Sequence, residues 1–305
     1  MRTLELVHRS RFEYAQPVTL GEHRLMFRPR DSHDLRLLDT TLAIDPAAEI
    51  RWLHDPFGNS IALATFTAPT QALEFISTIR LEHYGERSST PPIEAYAREL
   101  PFSYATDEAP DLARFIERHY PDPEGAVLQW ARQFLHDADS NGTYDTLSRM
   151  CEAIKSGFTY SMRFEFGTQA PVATLELNSG TCRDFSLLMM EAARGFGIAA
   201  RFVTGYLYDP ALDPGDGREA GSAYPHAWME AYLPGAGWIQ FDPTNGLEMA
   251  GELIRVAVAR DPEQAMPIKG SFIGLPGACI NTIIDVKVRT IPPLRTVPQG
   301  LANAA

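Results

Sequence analysis

The sequence predicts an α+β protein in which an N-terminal antiparallel β domain precedes a region of helices and then further strands. Two patterns support this prediction. Residues 1–86 alternate apolar and polar side chains in short runs separated by turn signals such as Asp45-Pro46, as half-buried strands do. From residue 111 onward, apolar residues instead recur at three- and four-residue intervals, which is the helical period. The length of 305 residues favours more than one domain.

Three amphipathic segments, 111–120, 124–138 and 144–158, are predicted to be helices. In the third segment Cys151 shares a face with large apolar residues, so we expect it to be a buried packing residue. A further helix is predicted to begin near Cys182, and the stretch "RFEFGTQAPVATLELNSG" before it is predicted to be a loop.

These patterns divide the chain into four predicted parts. We expect a β-rich domain at 1–86, a linker at 87–123, a catalytic core at 124–250, and strands with a frayed tail at 251–305. The N-terminal domain holds no convincing group of reactive side chains, so we interpret it as a scaffold or docking module.

Composition excludes several classes of function. Apolar residues make up 45% of the chain, charged residues 22%, and the formal net charge is −12. Binding to nucleic acid or to an anionic membrane depends on clustered Lys and Arg, so neither partner is expected. The N-terminus "MRTLELVHRSRFEY" interleaves charges with apolar residues, and no run approaches the ~20 apolar residues of a membrane span. We therefore expect a cytoplasmic protein, and the oligomeric state is left open.

Cysteine usage favours free thiols. Cys151, Cys182 and Cys279 are odd in number, widely spaced and form no C-x-x-C pair. A disulfide framework and a structural zinc site are therefore not expected, and no other cofactor or metal is indicated.

Cys182 occupies an unusual place for a packing residue. In "NSGTCRDFSLLMM" it follows the candidate N-caps Asn178 and Ser179, which puts it in the first turn of a helix. The positive end of the helix dipole favours a negative charge there, and Arg183 adds to the effect. This setting suits a nucleophilic thiolate, and the Cys182 backbone N–H suits the binding of an oxyanion.

A nucleophilic thiol needs a base, and His226 is the only histidine after Cys182. If a hairpin with a three-residue loop centred on Pro234 joins the next two strands, Tyr232 pairs with Ala236. His226 then lies opposite Asp242, close enough for the carboxylate to orient the imidazole. A four-residue "PGAG" loop shifts this register and keeps the two side chains within reach.

Each of these residues also has a structural interpretation. Cys182 is then a buried filler, His226 a strand residue bonded to backbone, and Asp242 the start of an Asp-Pro-Thr turn. From spacing alone, the triad and these separate structural roles are about equally supported.

Two stretches resemble the transglutaminase-like core of papain-type cysteine enzymes. They are "GTCRDFSLLMMEAARGFGIAARFVTGYL" and "HAWMEAYLPGAGWIQFDPTNG", and the resemblance covers about 125–250. The preceding strands, with "RPR" and "DPFGN", resemble the β domain that precedes this core in bacterial members. The resemblance implies helices packed on an antiparallel sheet, with Cys182 as nucleophile, His226 as base and Asp242 as orienting acid.

The family forms a thioester on cysteine from a peptide or glutamine-type amide, and water or an amine then releases the acyl group. We expect an amidase or peptidase acting on a peptide or protein amide. The alternatives are an amine-transferring transglutaminase and a non-catalytic binding module that keeps the fold. Calcium activates animal members, but the loop acids here lack EF-hand spacing and are expected to be solvated. These acids are Asp209, Asp213, Asp216 and Glu219.

Four supporting residues each carry two interpretations. Tyr160 is a candidate oxyanion donor or a core tyrosine. Asp184 matches an acid common in bacterial members and is a candidate for the substrate cleft, but we favour a helix-start acid. Trp228 either walls the cleft or packs the hairpin, and for Trp238 packing is favoured. Cys279 is expected to be structural.

Overall fold

The computed structural model describes residues 1–85, 91–135, 141–163, 167–209, 222–223, 225–249 and 251–292. The α-helices are α1 Ala109–Ile116, α2 Ala126–Arg132, α3 Thr143–Gly157, α4 Pro171–Leu177 and α5 Cys182–Gly195. Single 3₁₀ turns lie at Ala95–Ala97 and Pro262–Ala265. The strands are β1 Arg2–Leu20, β2 His23–Leu25, β3 Leu35–Asp45, β4 Glu49–His54, β5 Ser60–Thr65, β6 Thr70–His83, β7 Thr159–Tyr160, β8 Ser179–Gly180, β9 Ala200–Leu207, β10 Ser222–Ala223, β11 Pro225–Leu233, β12 Gly237–Asp242, β13 Leu247–Glu248, β14 Leu253–Ala259, β15 Ile268–Lys269, β16 Phe272–Ile273 and β17 Cys279–Thr290.

The six-stranded sheet is built around β1, which pairs antiparallel with both β6 and β17. Alternation along β1 gives the sheet one apolar and one charged face. Leu4 and Leu6 are fully buried on the first face. On the second, the Glu5 carboxylate accepts hydrogen bonds from Arg80 at 2.8 Å and Arg289 at 2.9 Å. The apolar face of the sheet can therefore pack against a second layer.

That second layer is a five-stranded antiparallel sheet in the order β13-β12-β11-β9-β14. Tyr206 of β9 and Ile254 of β14 share a buried cluster with Leu4 and Leu6. On the opposite face, Met189 of α5 packs in the same core as β11 and β12. The five-stranded sheet thus lies between helix α5 on one face and the six-stranded sheet on the other.

Strands after residue 250 are distributed over three sheets. β14 extends the five-stranded sheet, β15 pairs with β2 in a four-stranded sheet (β15-β2-β5-β4), and β16 and β17 pair with β1. The domain boundaries at residues 86, 123 and 250 stay predictions. Strands β15, β16 and β17 pair with β1 or β2, so strands from the two ends of the described chain share the same sheets.

The predicted fold class is confirmed: the chain combines an N-terminal antiparallel β region with helices on an antiparallel sheet. The loop predicted before Cys182 is wrong in one respect, because it contains α4. Pro171 at the first position of α4 was an available signal. The helix has seven residues, too few for a periodic pattern to be recognised. None of the described helices is long and apolar enough to span a membrane.

A buried histidine lies where the two sheets meet. The ring nitrogens of His8 lie 2.8 Å from the Tyr206 hydroxyl and 2.9 Å from Ser10 Oγ. Burial lowers the pKa of His8 to about 4, and burial also lowers the pKa values of His23 and His83. Folded His8 therefore stays neutral at pH values where it is protonated in the unfolded chain.

This arrangement predicts acid sensitivity. Stability contributed by neutral His8 is present above its unfolded pKa of about 6.5 and is lost as the pH falls towards 4. We expect the replacement His8→Gln to reduce the loss of unfolding free energy between pH 7 and pH 5 by about 2 kcal/mol. Urea unfolding at both pH values measures this loss, with the exposed His54→Gln as control. Equal losses in wild type and His8→Gln would show that His8 is not the sensitive group.

Candidate active site

Cys182 is the first residue of α5, as the sequence predicts, but the N-cap is Thr181. Asn178 instead ends α4 with a left-handed φ of 45°, and Ser179 belongs to β8, so neither predicted cap is correct. The Asp184 carboxylate accepts hydrogen bonds from Thr181 N at 2.8 Å and Thr181 Oγ1 at 2.9 Å. These bonds satisfy donors at the helix start and fix the position of Cys182.

Asp184 is completely buried and also holds the preceding loop. It accepts hydrogen bonds from Arg163 Nη2 at 3.1 Å and from Gln169 N at 2.7 Å. A side chain without exposed surface cannot touch a substrate, so the structure places Asp184 in the helix-start role. Gly180 makes the approach possible, because a Cβ there would lie 2.9 Å from Asp184 Cβ.

The hairpin between β11 and β12 differs by a small shift from the predicted one. Its loop is residues 234–236, centred on Gly235, and Tyr232 pairs with Trp238 rather than with Ala236. In this register Asp242 is in line with Trp228 rather than with His226. The predicted direct opposition is therefore wrong, but His226 Nε2 and Asp242 Oδ2 still lie 2.7 Å apart.

Sequence reasoning did not identify Asn245. Its Nδ2 donates a hydrogen bond to Asp242 Oδ2 at 2.8 Å and lies 3.3 Å from His226 Nε2. Asp242 Oδ1 accepts from the backbone N–H of Thr244 at 3.0 Å and of Asn245 at 3.3 Å. Asp242 is fully buried, and these donors hold both of its oxygens in place. The available signal was the "DPTN" turn, in which an Asp commonly bonds the backbone two residues on.

His226 lies between the Asp242 carboxylate and the Cys182 thiol. Burial alone would lower its pKa, but the charge and hydrogen bond of Asp242 and the hydrogen bond with Cys182 together raise it to about 10. Because Nε2 is taken by Asp242, Nδ1 is the ring nitrogen left for the thiol. The described geometry therefore brings Cys182, His226 and Asp242 together.

Tyr160 lies beside this group and is half exposed. The parallel pairing of β7 with β8 sets Tyr160 next to Gly180, two residues before Cys182. Burial of the hydroxyl and the neighbouring Cys182 thiol raise the pKa of Tyr160 to about 12, so the hydroxyl keeps its proton at neutral pH. It is a neutral hydrogen-bond donor next to the sulfur.

Both tryptophans pack against other side chains. Trp228 is fully buried and stacks on His226, with ring centroids 6.1 Å apart. It cannot wall an open cleft, although it supports the imidazole. Trp238 packs against Phe115 and under the Arg201 guanidinium, 4.1 Å from the ring centroid.

The remaining candidates lie outside this group. Cys151 is completely buried on α3, and Cys279 lies at the start of β17. Within the described ranges, no three His, Cys, Asp or Glu side chains come together as a metal site would require. Of the loop acids, Asp213, Asp216 and Glu219 lie outside those ranges.

The contact with Asp242 predicts the titration of His226. Burial lowers the pKa of His226, and the Asp242 carboxylate raises it. The replacement Asp242→Asn removes the carboxylate charge, so the effect of burial is less strongly opposed. We expect the titration midpoint of the His226 ring, followed by NMR, to move from near 10 down by about 1–3 pH units. The exposed acid Asp145, replaced by Asn, controls for net charge. Identical midpoints in wild type and Asp242→Asn would contradict the assigned cause.

Comparison with known proteins identifies the family. Residues 4–82 match the bacterial transglutaminase-like N-terminal region, and residues 129–243 match the transglutaminase-like superfamily. An uncharacterized protein of Mycobacterium leprae is 34% identical over 94% of this chain and 99% of its own length. One from Mycobacterium tuberculosis is 29% identical over 94% and 92%.

The fold has a close counterpart among solved structures. A protein of Cytophaga hutchinsonii, described as a candidate cysteine protease, matches with a TM-score of 0.69 at 18% identity. The match covers 95% of this chain and 91% of that one. The chain therefore belongs to the transglutaminase-like superfamily, in the bacterial group that carries this N-terminal region.

Proposed function

We propose that the protein is a cysteine-dependent acyl-transfer enzyme that hydrolyses peptide or glutamine-type amides through a thioester on Cys182. The observation that supports this most strongly is the position of His226. One ring nitrogen is held by the buried Asp242 carboxylate at 2.7 Å, and the ring also bonds the Cys182 thiol. A base fixed by an acid and directed at a thiol is the arrangement that activates a cysteine.

The first half-reaction makes the thioester. In the starting state His226 holds the proton of Cys182, and the thiolate sulfur attacks the amide carbonyl carbon. The oxyanion that forms accepts hydrogen bonds from the Cys182 N–H, which has no partner within its own helix, and from the Tyr160 hydroxyl. The His226 imidazolium then gives its proton to the departing nitrogen, the C–N bond breaks, and an amine or ammonia leaves.

The second half-reaction returns the enzyme to its starting state. Neutral His226 takes a proton from a water molecule, whose oxygen attacks the thioester carbonyl. The C–S bond breaks, the carboxylic acid leaves, and the thiolate and imidazolium are restored. We favour water over an amine as acceptor because Tyr160, which borders the sulfur, is about half exposed.

Acylation by a small activated ester tests this without knowledge of the natural substrate. We expect p-nitrophenyl acetate to acetylate Cys182, detected by peptide mass spectrometry, and acetate to be released on turnover. Cys182→Ala should abolish both while its melting temperature stays that of the wild type. Absence of acetyl-Cys182 in the folded wild type would favour a non-catalytic binding module.

The same assay separates hydrolysis from amine transfer. With a primary amine added, a hydrolase continues to release mainly acetate. A transglutaminase releases mainly the acetylated amine, and that result would contradict the hydrolase assignment.

Tyr160 supplies a more specific prediction. We expect Tyr160→Phe to slow acetylation of Cys182 by about 100- to 1,000-fold, as loss of one oxyanion donor does elsewhere. The folded state should be little affected, because half of the side chain is already in solvent. Stopped-flow release of p-nitrophenol measures the step, with Tyr96→Phe, another half-exposed tyrosine, as control. An unchanged rate would remove Tyr160 from the oxyanion site.

A further inference from the structure

Helix α5 is buried along most of its length, and one of its residues is partly exposed to solvent. Between Cys182 and Arg194, each residue is buried except Arg183. Arg183, which directly follows Cys182 in the chain, is partly exposed, so the solvent-accessible part of this stretch of helix begins one residue after the candidate nucleophile.

Arg183 also differs from neighbouring arginines in having no counter-ion among the described residues. Arg163 pairs with Asp184 at 3.1 Å, and Arg194 pairs with Glu191 at 2.8 Å. In the part of the chain that the structure describes, no carboxylate forms an ion pair with Arg183. A guanidinium carries its charge at all physiological pH values and prefers a carboxylate partner.

The Arg183 charge affects the pKa of the Tyr160 hydroxyl. Burial and the Cys182 thiol raise the pKa of Tyr160, and the Arg183 cation opposes that rise. The guanidinium therefore lies within electrostatic reach of a hydroxyl that itself neighbours the sulfur.

Two further pairs of opposite charges lie among the described residues around the sulfur. Asp184 offsets Arg163, and Asp242 offsets the His226 imidazolium. In contrast, no described residue forms an ion pair with Arg183.

We infer that Arg183 binds a carboxylate of the substrate, so that the favoured substrates are peptides carrying an acidic group close to the scissile amide. This inference rests on the proposed function and adds the chemical class of the substrate. The chain as a whole carries a net charge of −12 and repels anions, so a preference for an anion at Cys182 has to arise locally.

Two alkylating reagents of similar size, one anionic and one neutral, test this. Iodoacetate is an anion and iodoacetamide is neutral, and both alkylate a thiolate. The measured quantity is the ratio of their rate constants at Cys182 in the full-length protein at low ionic strength, followed by peptide mass spectrometry. We expect Arg183→Gln to lower the iodoacetate-to-iodoacetamide ratio by about three- to tenfold.

Two variants serve as controls. Arg183→Lys keeps the charge and should keep most of the ratio. Arg51→Gln makes the same change in net charge at an exposed site on β4 and should leave the ratio unchanged.

The outcomes separate this inference from the proposed function. A ratio that is unaffected by Arg183→Gln, or that falls equally in Arg51→Gln, overturns the inference while Cys182 remains reactive to iodoacetamide. If iodoacetamide labels Cys182 no faster than Cys279, the proposed function fails and the inference fails with it.

Discussion

The hydrogen bond between His226 and Asp242 is the interaction on which the site depends. It joins an imidazole to a completely buried carboxylate at 2.7 Å. A buried carboxylate is costly unless its oxygens are bonded, and here Thr244 and Asn245 supply the other donors. The turn that contains Thr244 and Asn245 therefore fixes the Asp242 carboxylate, and this carboxylate in turn fixes the His226 ring next to Cys182.

The fold supplies the precision that this contact needs. Cys182 is positioned from the helix side by Asp184, whose carboxylate joins the start of α5 to the loop that follows Tyr160. His226 is positioned from the sheet side, where it pairs with Gly205 of β9 and stacks on Trp228. A Cβ on Gly205 would lie 2.8 Å from the Trp228 ring, so glycine is required for that packing. Two rigid elements thus present the thiol and the imidazole to each other.

The six-stranded sheet has a supporting part in this arrangement. It packs on the outer face of the sheet that carries His226, and the buried contact between His8 and Tyr206 lies in that interface. Because β17 pairs with β1, the end of the described chain locks onto its beginning. The N-terminal region therefore stabilises the layer that carries the histidine, whatever else it binds.

Much of the fold and the site was predictable because the signals are local. Alternation identified the strands of residues 1–86, and an N-terminal-turn cysteine with one later histidine pointed to the thiol and its partner. The misses are non-local or short. Burial decided between the two interpretations of Asp184 and of Trp228, since sequence shows charge and shape but not enclosure. The hairpin register depended on the exact position of the loop around Gly235. Asn245 lies in the turn after Asp242, but its neighbour His226 lies on a different strand, β11.

The account predicts that these contacts make a nearly buried thiol the most reactive one. Cys182 is only 9% exposed, Cys279 is more exposed, and burial raises the pKa of Cys151. The most direct measurement is the rate of iodoacetamide labelling of all three cysteines at neutral pH, in wild type and in His226→Gln. We expect Cys182 to react fastest in the wild type and to lose that lead in the variant. Labelling that simply follows exposure, with Cys279 first in both proteins, would contradict the account.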